Sequence, residues 1–257
     1  MVKLFEASYS LSKKCLLHPT NFSINKGELL VIMGANGAGK STLIKLISGL
    51  LKPSSGSIDF LGKELGLYSI NELAKKRAVL TQRYDINFAL TSREIIMMGR
   101  YPFFNSNPSS IDESIVDATM RKMEITHLAN RFYQTLSGGE AQKVQMCRVL
   151  AQIESVNRDS TLLLLDEPVA HLDLKFQYQL LAIVKSLALA NTTVVSVLHD
   201  INLALKYADR ILFLKKGKVE YLHYKKDKIT AAVIKNVFDV DAKIIHLPDD
   251  ERQWVTF

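Results

Sequence analysis

The residues with the clearest chemistry in this sequence form a short glycine-rich segment. The spacing G-x-x-x-x-G-K-[ST] is met by Gly34, Ala35, Asn36, Gly37, Ala38, Gly39, Lys40, Ser41 and Thr42. The segment follows an apolar run, Leu29 to Met33, and leads into a stretch typical of a helix, Ser41 to Ser48. Glycines allow the backbone N–H groups and the positive end of that helix to point at phosphate oxygens. The pattern predicts a phosphate-binding loop; the alternative is a plain glycine turn between a strand and a helix.

Four side chains in the sequence suit phosphate chemistry. We expect Lys40 to reach the β- and γ-phosphates of a nucleotide and Ser41 to hold Mg²⁺. A second apolar run, Thr161 to Leu165, ends in Asp166 and Glu167, as in a strand buried on both faces of a parallel sheet. Ligands bind at the carboxyl ends of such strands, so these carboxylates are candidate site residues.

Other elements must position this site. Strands are predicted for 57–60, 78–81, 193–198, 211–214 and 218–221, and helices for 70–76 and 230–238. The strand over 78–81 delivers Gln82, and the strand over 193–198 ends at His199. From Thr91 to Ile153 the pattern is helical, with capping boxes predicted at 91–94 and 110–113 and a linker over 100–108. We therefore expect a helical subdomain inserted in an α/β core.

Composition restricts the class of protein. The 257 residues, 47% of them apolar, suit one α/β domain, and no run approaches the roughly 18 apolar residues of a membrane span. The first six residues lack the pattern of a secretory signal, so we expect a cytoplasmic chain. Two cysteines make neither a disulfide framework nor a zinc pattern. The net charge of +7 is spread along the chain, which favours a solvated surface over a nucleic-acid site and would help modestly at an acidic membrane face.

A second glycine-led segment fixes the family. Leu136-Ser137-Gly138-Gly139-Glu140 opens a helix, and by itself it reads as a capping box. It occurs together, in one order, with the phosphate-binding loop, Gln82, Asp166-Glu167, Leu172-Asp173 and His199. This combination resembles the ABC-transporter ATPases over nearly the whole chain. The resemblance implies a mainly parallel sheet, an antiparallel β subdomain, and a helical subdomain over 88–155 between core segments 1–87 and 156–257.

The resemblance also implies roles within one nucleotide site. Gln82 would contact Mg²⁺ and the attacking water, and Asp166 would support Mg²⁺. Glu167 would be the general base that orients water against the γ-phosphate. His199 would contact that phosphate. ATP and Mg²⁺ are therefore the expected ligands, and an intact Glu167 disfavours a nucleotide-binding regulator without turnover.

Further roles implied by the resemblance need a second copy of the chain. Ser137, Gly138 and Gly139 would close on ATP held by the opposite protomer, and Asp173 would reach across the same interface. The expected working form is a head-to-tail homodimer that sandwiches two nucleotides. The tip of the helix would then act as a second phosphate cradle, because its N–H groups supply positive potential without bulk.

The sequence departs from the family pattern at three places. Ala35 stands where a proline is common, and Val169-Ala170-His171 replaces the usual lead into Leu172-Asp173. The region before the phosphate-binding loop where an adenine-stacking aromatic is expected, 11–15, contains none. Tyr9 is the nearest candidate for that contact.

The absence of fused membrane helices favours an importer-type subunit that works at the cytoplasmic face of the inner membrane with separate permease subunits and, indirectly, with an external substrate-binding protein. The stretches 76–82, 94–102 and 198–204 are similar to ATPases of heme, vitamin B12 and ferric-siderophore importers. The stretch 148–153, followed by an extended loop over 154–160, is most similar to the hemin-importer ATPases. A soluble ABC protein acting on nucleic acid is the alternative, although the paired cassettes or coiled coils typical of that class are not found.

Overall fold

Six strands form the central sheet in the described part of the chain. The structure is a computed structural model that describes residues 1–81, 86, 88–154, 160–247 and 250–257. From one edge to the other the strands are β10 (Lys218–Tyr224), β9 (Arg210–Lys215), β3 (Leu29–Met33), β8 (Thr193–Val197), β7 (Leu162–Asp166) and β6 (Arg77–Leu80). The last five are parallel, whereas β10 pairs antiparallel with β9.

The central sheet separates two apolar cores. Strands β3, β7 and β8 are buried along their whole length, which explains why each reads as an apolar run without alternation. Leu29, Val31 and Met33 face one core, and Leu30 and Ile32 face the other. Because both faces are covered, the carboxyl ends of these strands have fixed positions at one edge of the sheet.

A second sheet packs beside the first and confirms the expected antiparallel part of the fold. Its strands, in order, are β2 (Lys14–Ile24), β1 (Val2–Leu11), β4 (Ser55–Phe60) and β5 (Lys63–Glu64). The His18 amide donates to the Gly217 carbonyl across 2.8 Å, which joins this sheet to the β9–β10 turn. The α/β fold class is therefore as predicted.

Eight α-helices and a terminal hairpin complete the described chain. The helices are α1 (Lys40–Ile47), α2 (Ile70–Lys76), α3 (Ser92–Met97), α4 (Ser110–Lys122), α5 (Gly138–Ile153), α6 (Leu174–Leu189), α7 (Ile201–Tyr207) and α8 (Ala231–Phe238). The hairpin consists of β11 (Lys243–Leu247) and β12 (Asp250–Thr256). Within the described ranges, no helix is both long and apolar enough to cross a membrane.

The helical region shows where local patterns succeed and fail. The capping box predicted at Thr91 forms with Glu94, but the box before α4 begins one residue earlier than predicted, at Ser109. The predicted linker over 100–108 is also partly wrong, since Met98–Phe103 is a 3₁₀ helix. Arg100 in this helix is buried and pairs with Asp112 across 2.9 Å, so it anchors the segment against α4.

Candidate functional site

The phosphate-binding loop joins β3 to α1 through backbone angles that favour glycine. Gly34 has a φ of 153°, and Gly39, the N-cap of α1, has a φ of 102°. A Cβ on Gly34 would lie 2.2 Å from the Leu214 carbonyl oxygen, and one on Gly39 would lie 2.8 Å from that of Leu16. Glycine at these positions therefore permits both the turn and the close packing of the loop on its neighbours.

A cavity of about 320 Å³ lies against this loop. It is lined by Lys14, Leu16, Asn36, Gly37, Gly39, Lys40, Ser41, Thr42 and Glu167. The lining thus combines the loop, the start of α1, the residue after β7 and the start of β2. The first turn of α1 contains no acidic residue, so its unpaired N–H groups and positive dipole end present an anion site.

Lys40 supplies a buried cation at this cavity. Its ammonium donates to the carbonyl oxygens of Gly34 at 2.8 Å and Ala35 at 3.0 Å. Burial lowers the pKa of Lys40, while the nearby charges of Glu167 and Asp166 oppose that change. A phosphate would replace two neutral acceptors with charged ones, which form stronger hydrogen bonds with an ammonium group.

The carboxylate of Asp166, the last residue of β7, is buried and only partly hydrogen-bonded. It is 5% exposed, and its Oδ1 atom has no hydrogen-bond partner among the described residues. Burial raises the pKa of Asp166, and a hydrogen bond with the Ser41 hydroxyl partly offsets this rise. A buried carboxylate oxygen beside a serine hydroxyl is a donor set that suits a hard divalent cation. No group of three or more His, Cys, Asp or Glu side chains with metal-binding geometry occurs among the described residues, so a cation here would need further oxygen ligands.

Glu167 and His199 are in direct contact. His199 Nε2 lies 2.8 Å from Glu167 Oε1, although the two residues are 32 positions apart in the sequence. The parallel pairing of Asp166 with Val197 places the ends of β7 and β8 side by side, so the residues that follow them meet. A carboxylate held by an imidazole at the edge of a phosphate cavity can orient water and accept its proton.

The second glycine-led segment lies outside this cavity. Ser137 caps α5 by accepting from the Glu140 amide, and Glu140 accepts from the Ser137 amide, so the predicted capping box forms. Ser137 and Gly138 are exposed. The cavity lining of the described chain contains none of Ser137, Gly138 and Gly139. This helix end is therefore open to a ligand or partner outside the chain.

Comparisons with known proteins agree with this geometry. Residues 17–170 match the family described as ABC transporter. The chain belongs to the ABC transporter family. It is 40% identical over 250 residues to the hemin import ATP-binding protein HmuV of Methylobacillus flagellatus, covering 97% of this chain and 93% of that protein.

Solved ABC structures have the same fold as this chain. A chain of a metal-chelate type ABC transporter in an inward-facing conformation superposes with a TM-score of 0.80 at 26% identity, covering 99% of this chain and 96% of that one. A dimeric post-hydrolysis structure of the ATP-binding cassette MJ0796, with ADP and Pi bound, gives a TM-score of 0.78 at 28% identity, covering 89% and 100%. The chain is thus an ABC-type ATPase.

Three further predicted site residues of this ABC ATPase either do not line the cavity or are not among the described residues. Gln82 is not among the described residues. Asp173 is exposed and caps α6 by accepting from the Phe176 amide across 3.0 Å. Tyr9 is half-buried and packs against the core beside the antiparallel sheet, whereas Lys14 and Leu16 line the cavity. The adenine contact predicted for Tyr9 gains no support from this position.

Sequence reasoning missed one contact of the ABC ATPase site. The amide of Gln142, on α5, donates to the carbonyl oxygens of Glu167 at 3.3 Å and Pro168 at 3.0 Å. Nothing in the sequence around Gln142, two residues after the capping box, indicates this contact, because a glutamine on a helix is usually exposed to solvent. Only the packing of α5 on the residues after β7 reveals this contact.

Proposed function

We propose that this chain is the ATP-hydrolysing subunit of an ABC importer that takes up heme through a separate membrane permease. The contact between Glu167 and His199 beside the phosphate cavity is the observation that carries the catalytic part. The similarity to a protein named for hemin import, across nearly the whole chain, supports the cargo. A ferric-siderophore or vitamin B12 importer is the alternative within the same family.

Hydrolysis follows from the placement of a few groups. Phosphoryl transfer to water depends on positioning and on neutralising phosphate oxygens rather than on covalent catalysis. Lys40 leaves the carbonyls of Gly34 and Ala35 to bind the β- and γ-phosphates. Glu167 accepts the proton of the attacking water, and His199 holds that carboxylate and contacts the γ-phosphate.

In the proposed site, Ser41, Asp166 and Gln82 would hold Mg²⁺. When bound, the cation neutralises charge on the β- and γ-phosphate oxygens. The partnerless Oδ1 atom of Asp166 supports this role, since a buried carboxylate is disfavoured until a cation compensates its charge. The Ser41 hydroxyl, at the start of α1, would provide a second oxygen.

The proposed working form is a head-to-tail homodimer. The exposed tip of α5, with Ser137, Gly138 and Gly139, would cover the phosphates held in the partner's loop, and Asp173 would reach across the interface. The dimeric structure of the MJ0796 cassette supports a dimeric working form, because that protein has the same fold and was captured with ADP and Pi. The second phosphate cradle is thus supplied by another chain.

The proposed partners are integral permease subunits at the cytoplasmic face of the membrane and, through them, an external substrate-binding protein. Residues 88–155 would form the helical subdomain beside the nucleotide-binding core of 1–87 and 156–257. A role on nucleic acid is the less favoured alternative. Strong, salt-sensitive binding of DNA or RNA by the purified chain would support that alternative instead.

Reconstitution tests the proposal. The chain, its permease and the substrate-binding protein are placed in liposomes, and uptake of heme, a ferric siderophore and vitamin B12 is measured with ATP hydrolysis. We expect Mg-ATP-dependent heme uptake that Glu167→Gln abolishes and that Glu220→Gln, the same change at an exposed position of β10, leaves intact. Uptake of one of the other two cargos instead would replace heme as the proposed cargo. A complex without ATP turnover would refute the whole proposal.

A further inference from the structure

The residues after β7 form a turn with unusual backbone angles. Glu167 has a φ of 55° and His171 a φ of 61°, in the left-handed region that is costly for residues other than glycine. Within the turn the Ala170 amide donates to the Glu167 carbonyl at 3.2 Å, and the Leu172 amide donates to the Val169 carbonyl at 3.3 Å. A turn in this conformation depends on surrounding contacts to hold it.

Gln142 supplies such a contact from α5. Its side-chain Nε2 donates to Pro168 O at 3.0 Å and to Glu167 O at 3.3 Å, so one amide group satisfies two successive carbonyls. These carbonyls belong to the peptide units on the C-terminal side of Glu167 and Pro168. The contact therefore fixes the backbone from which the Glu167 carboxylate projects toward His199.

The N-terminal turn of α5 packs on the same segment. A Cβ on Gly139 would lie 3.0 Å from the His171 carbonyl oxygen, and one on Gly138 would lie 3.8 Å from the His171 Cβ. Gly139 thus has a role within its own chain in addition to any contact with nucleotide. Because α5 touches the turn through Gln142 at Glu167 and through Gly139 at His171, a displacement of the helix also displaces the turn.

We propose that Gln142 is a positioning residue that makes the placement of Glu167 depend on the position of α5. The proposal rests on the proposed function, in which the tip of α5 binds the partner's nucleotide while Glu167 acts on the nucleotide of its own chain. Contact of α5 with the partner's phosphates is then transmitted through the Gln142 amide to the Glu167 and Pro168 carbonyls. Nucleotide bound in one active site in this way affects the placement of Glu167 in the other.

Gln142→Met tests the proposal because it keeps the side-chain length and removes the donor. In the reconstituted transporter we expect kcat for ATP hydrolysis to fall roughly 10- to 100-fold, as for a misplaced catalytic group, with KM for ATP changed less than about 2-fold. Gln152→Met is the matched control. Gln152 also lies on α5 and donates to two backbone carbonyls, those of Ala74 and Arg77, at 2.8 and 3.0 Å, so its loss should affect stability and leave kcat near wild type.

A double-mutant cycle identifies the route of the effect. If Gln142 acts through the Glu167 carboxylate, adding Gln142→Met to Glu167→Gln lowers the residual turnover no further, and ATP-dependent dimers still form. A full additional loss of turnover, or loss of those dimers, would overturn the proposal. The structure would then assign Gln142 to the dimer contact or to folding.

The outcomes separate this proposal from the proposed function. A wild-type complex without ATP turnover refutes the function itself, whereas an active wild type with Gln142→Met equal to Gln152→Met refutes only the role of Gln142. If Gln142→Met does not fold, Gln142→Asn, which keeps the amide on a shorter side chain, decides. A lowered kcat at unchanged KM supports the role, and wild-type kcat contradicts it.

Discussion

The chain contains two glycine-led helix starts whose surroundings differ. At the phosphate-binding loop, the start of α1 lies against a cavity that the chain itself lines, with the Lys40 ammonium and the Glu167 carboxylate already present. At the tip of α5, the capping box of Ser137 and Glu140 satisfies local groups, and the exposed Ser137 and Gly138 do not line that cavity. The first cradle is lined within a single chain, whereas the proposed second cradle would become a site only against another molecule.

Glycine serves a different purpose at each of these two helix starts. In the loop, Gly34 is needed for the observed path of the backbone, because a side chain would collide with the Leu214 carbonyl of β9. At the tip of α5, Gly138 has ordinary contact distances to its neighbours, and Gly139 is tight only against His171. We therefore expect substitutions in the loop to affect the single chain, and substitutions at the tip to affect mainly the assembled dimer.

Gly34→Ala should have the largest effect. Its Cβ would lie 2.2 Å from a backbone oxygen, so the β3–α1 connection cannot keep its position. We expect ATP binding to be lost and the protein to be destabilised by about 3 kcal/mol or more, which overpacking in a buried site can reach. Isothermal titration with ATP and thermal melting measure both. Gly62→Ala is the control, since that position also has a positive φ but has open space around it.

Glu167→Gln should separate binding from turnover. The amide cannot accept a proton, so kcat should fall roughly 10²-fold or more, whereas ATP affinity, which depends on the loop, should stay near wild type. ATP-dependent dimers should accumulate on size-exclusion chromatography. Turnover near that of the wild type would contradict the role of Glu167 as the general base.

Gly139→Ala should act mainly on the second cradle. The added methyl group would lie 3.0 Å from the His171 carbonyl oxygen, so the tip of α5 must shift, and we expect roughly 10-fold slower turnover with unchanged ATP binding by the single chain. Mixing this variant with Lys40→Ala tests the two-chain site directly. A mixed dimer has one site with an intact loop and an intact tip, so the mixture should turn over ATP faster than either variant alone. Failure to complement would place both cradles within one chain.

Asp166→Asn should have the smallest effect on the stability of the fold. It should raise that stability while it abolishes activity. Burial raises the pKa of Asp166 in the folded protein, so its ionised form opposes folding once the pH exceeds the unfolded-state pKa. The neutral amide should therefore raise the melting temperature without nucleotide at pH 7 by a few degrees, and the gain should vanish at acidic pH. Mg-dependent turnover should be lost. A lower melting temperature at pH 7 would contradict this account of the carboxylate.

Local chemistry made much of this molecule predictable. The helix over Ile70–Lys76 has the predicted bounds because Ser69 and Glu72 form a capping box at its start. The sequence predicts the capping box before α4 one residue too late, because Ser109 and Ser110 carry the same side chain and either could cap the helix. It also places Arg100 in a linker, because no local pattern shows that Asp112 and the Ala151 carbonyl accept its hydrogen bonds in the interior.

Residues close together in the chain, or an ordered set of motifs, are enough to predict the phosphate-binding loop, the buried strands, the capped helices and the family. Contacts between distant groups depend on how the whole chain folds. His199 reaches Glu167 because β7 and β8 pair in parallel with Asp166 opposite Val197, and Gln142 reaches the Glu167 carbonyl because α5 packs on the turn after β7. Strand register and helix packing arise from the burial of many side chains together, and that collective property is not present in any short segment.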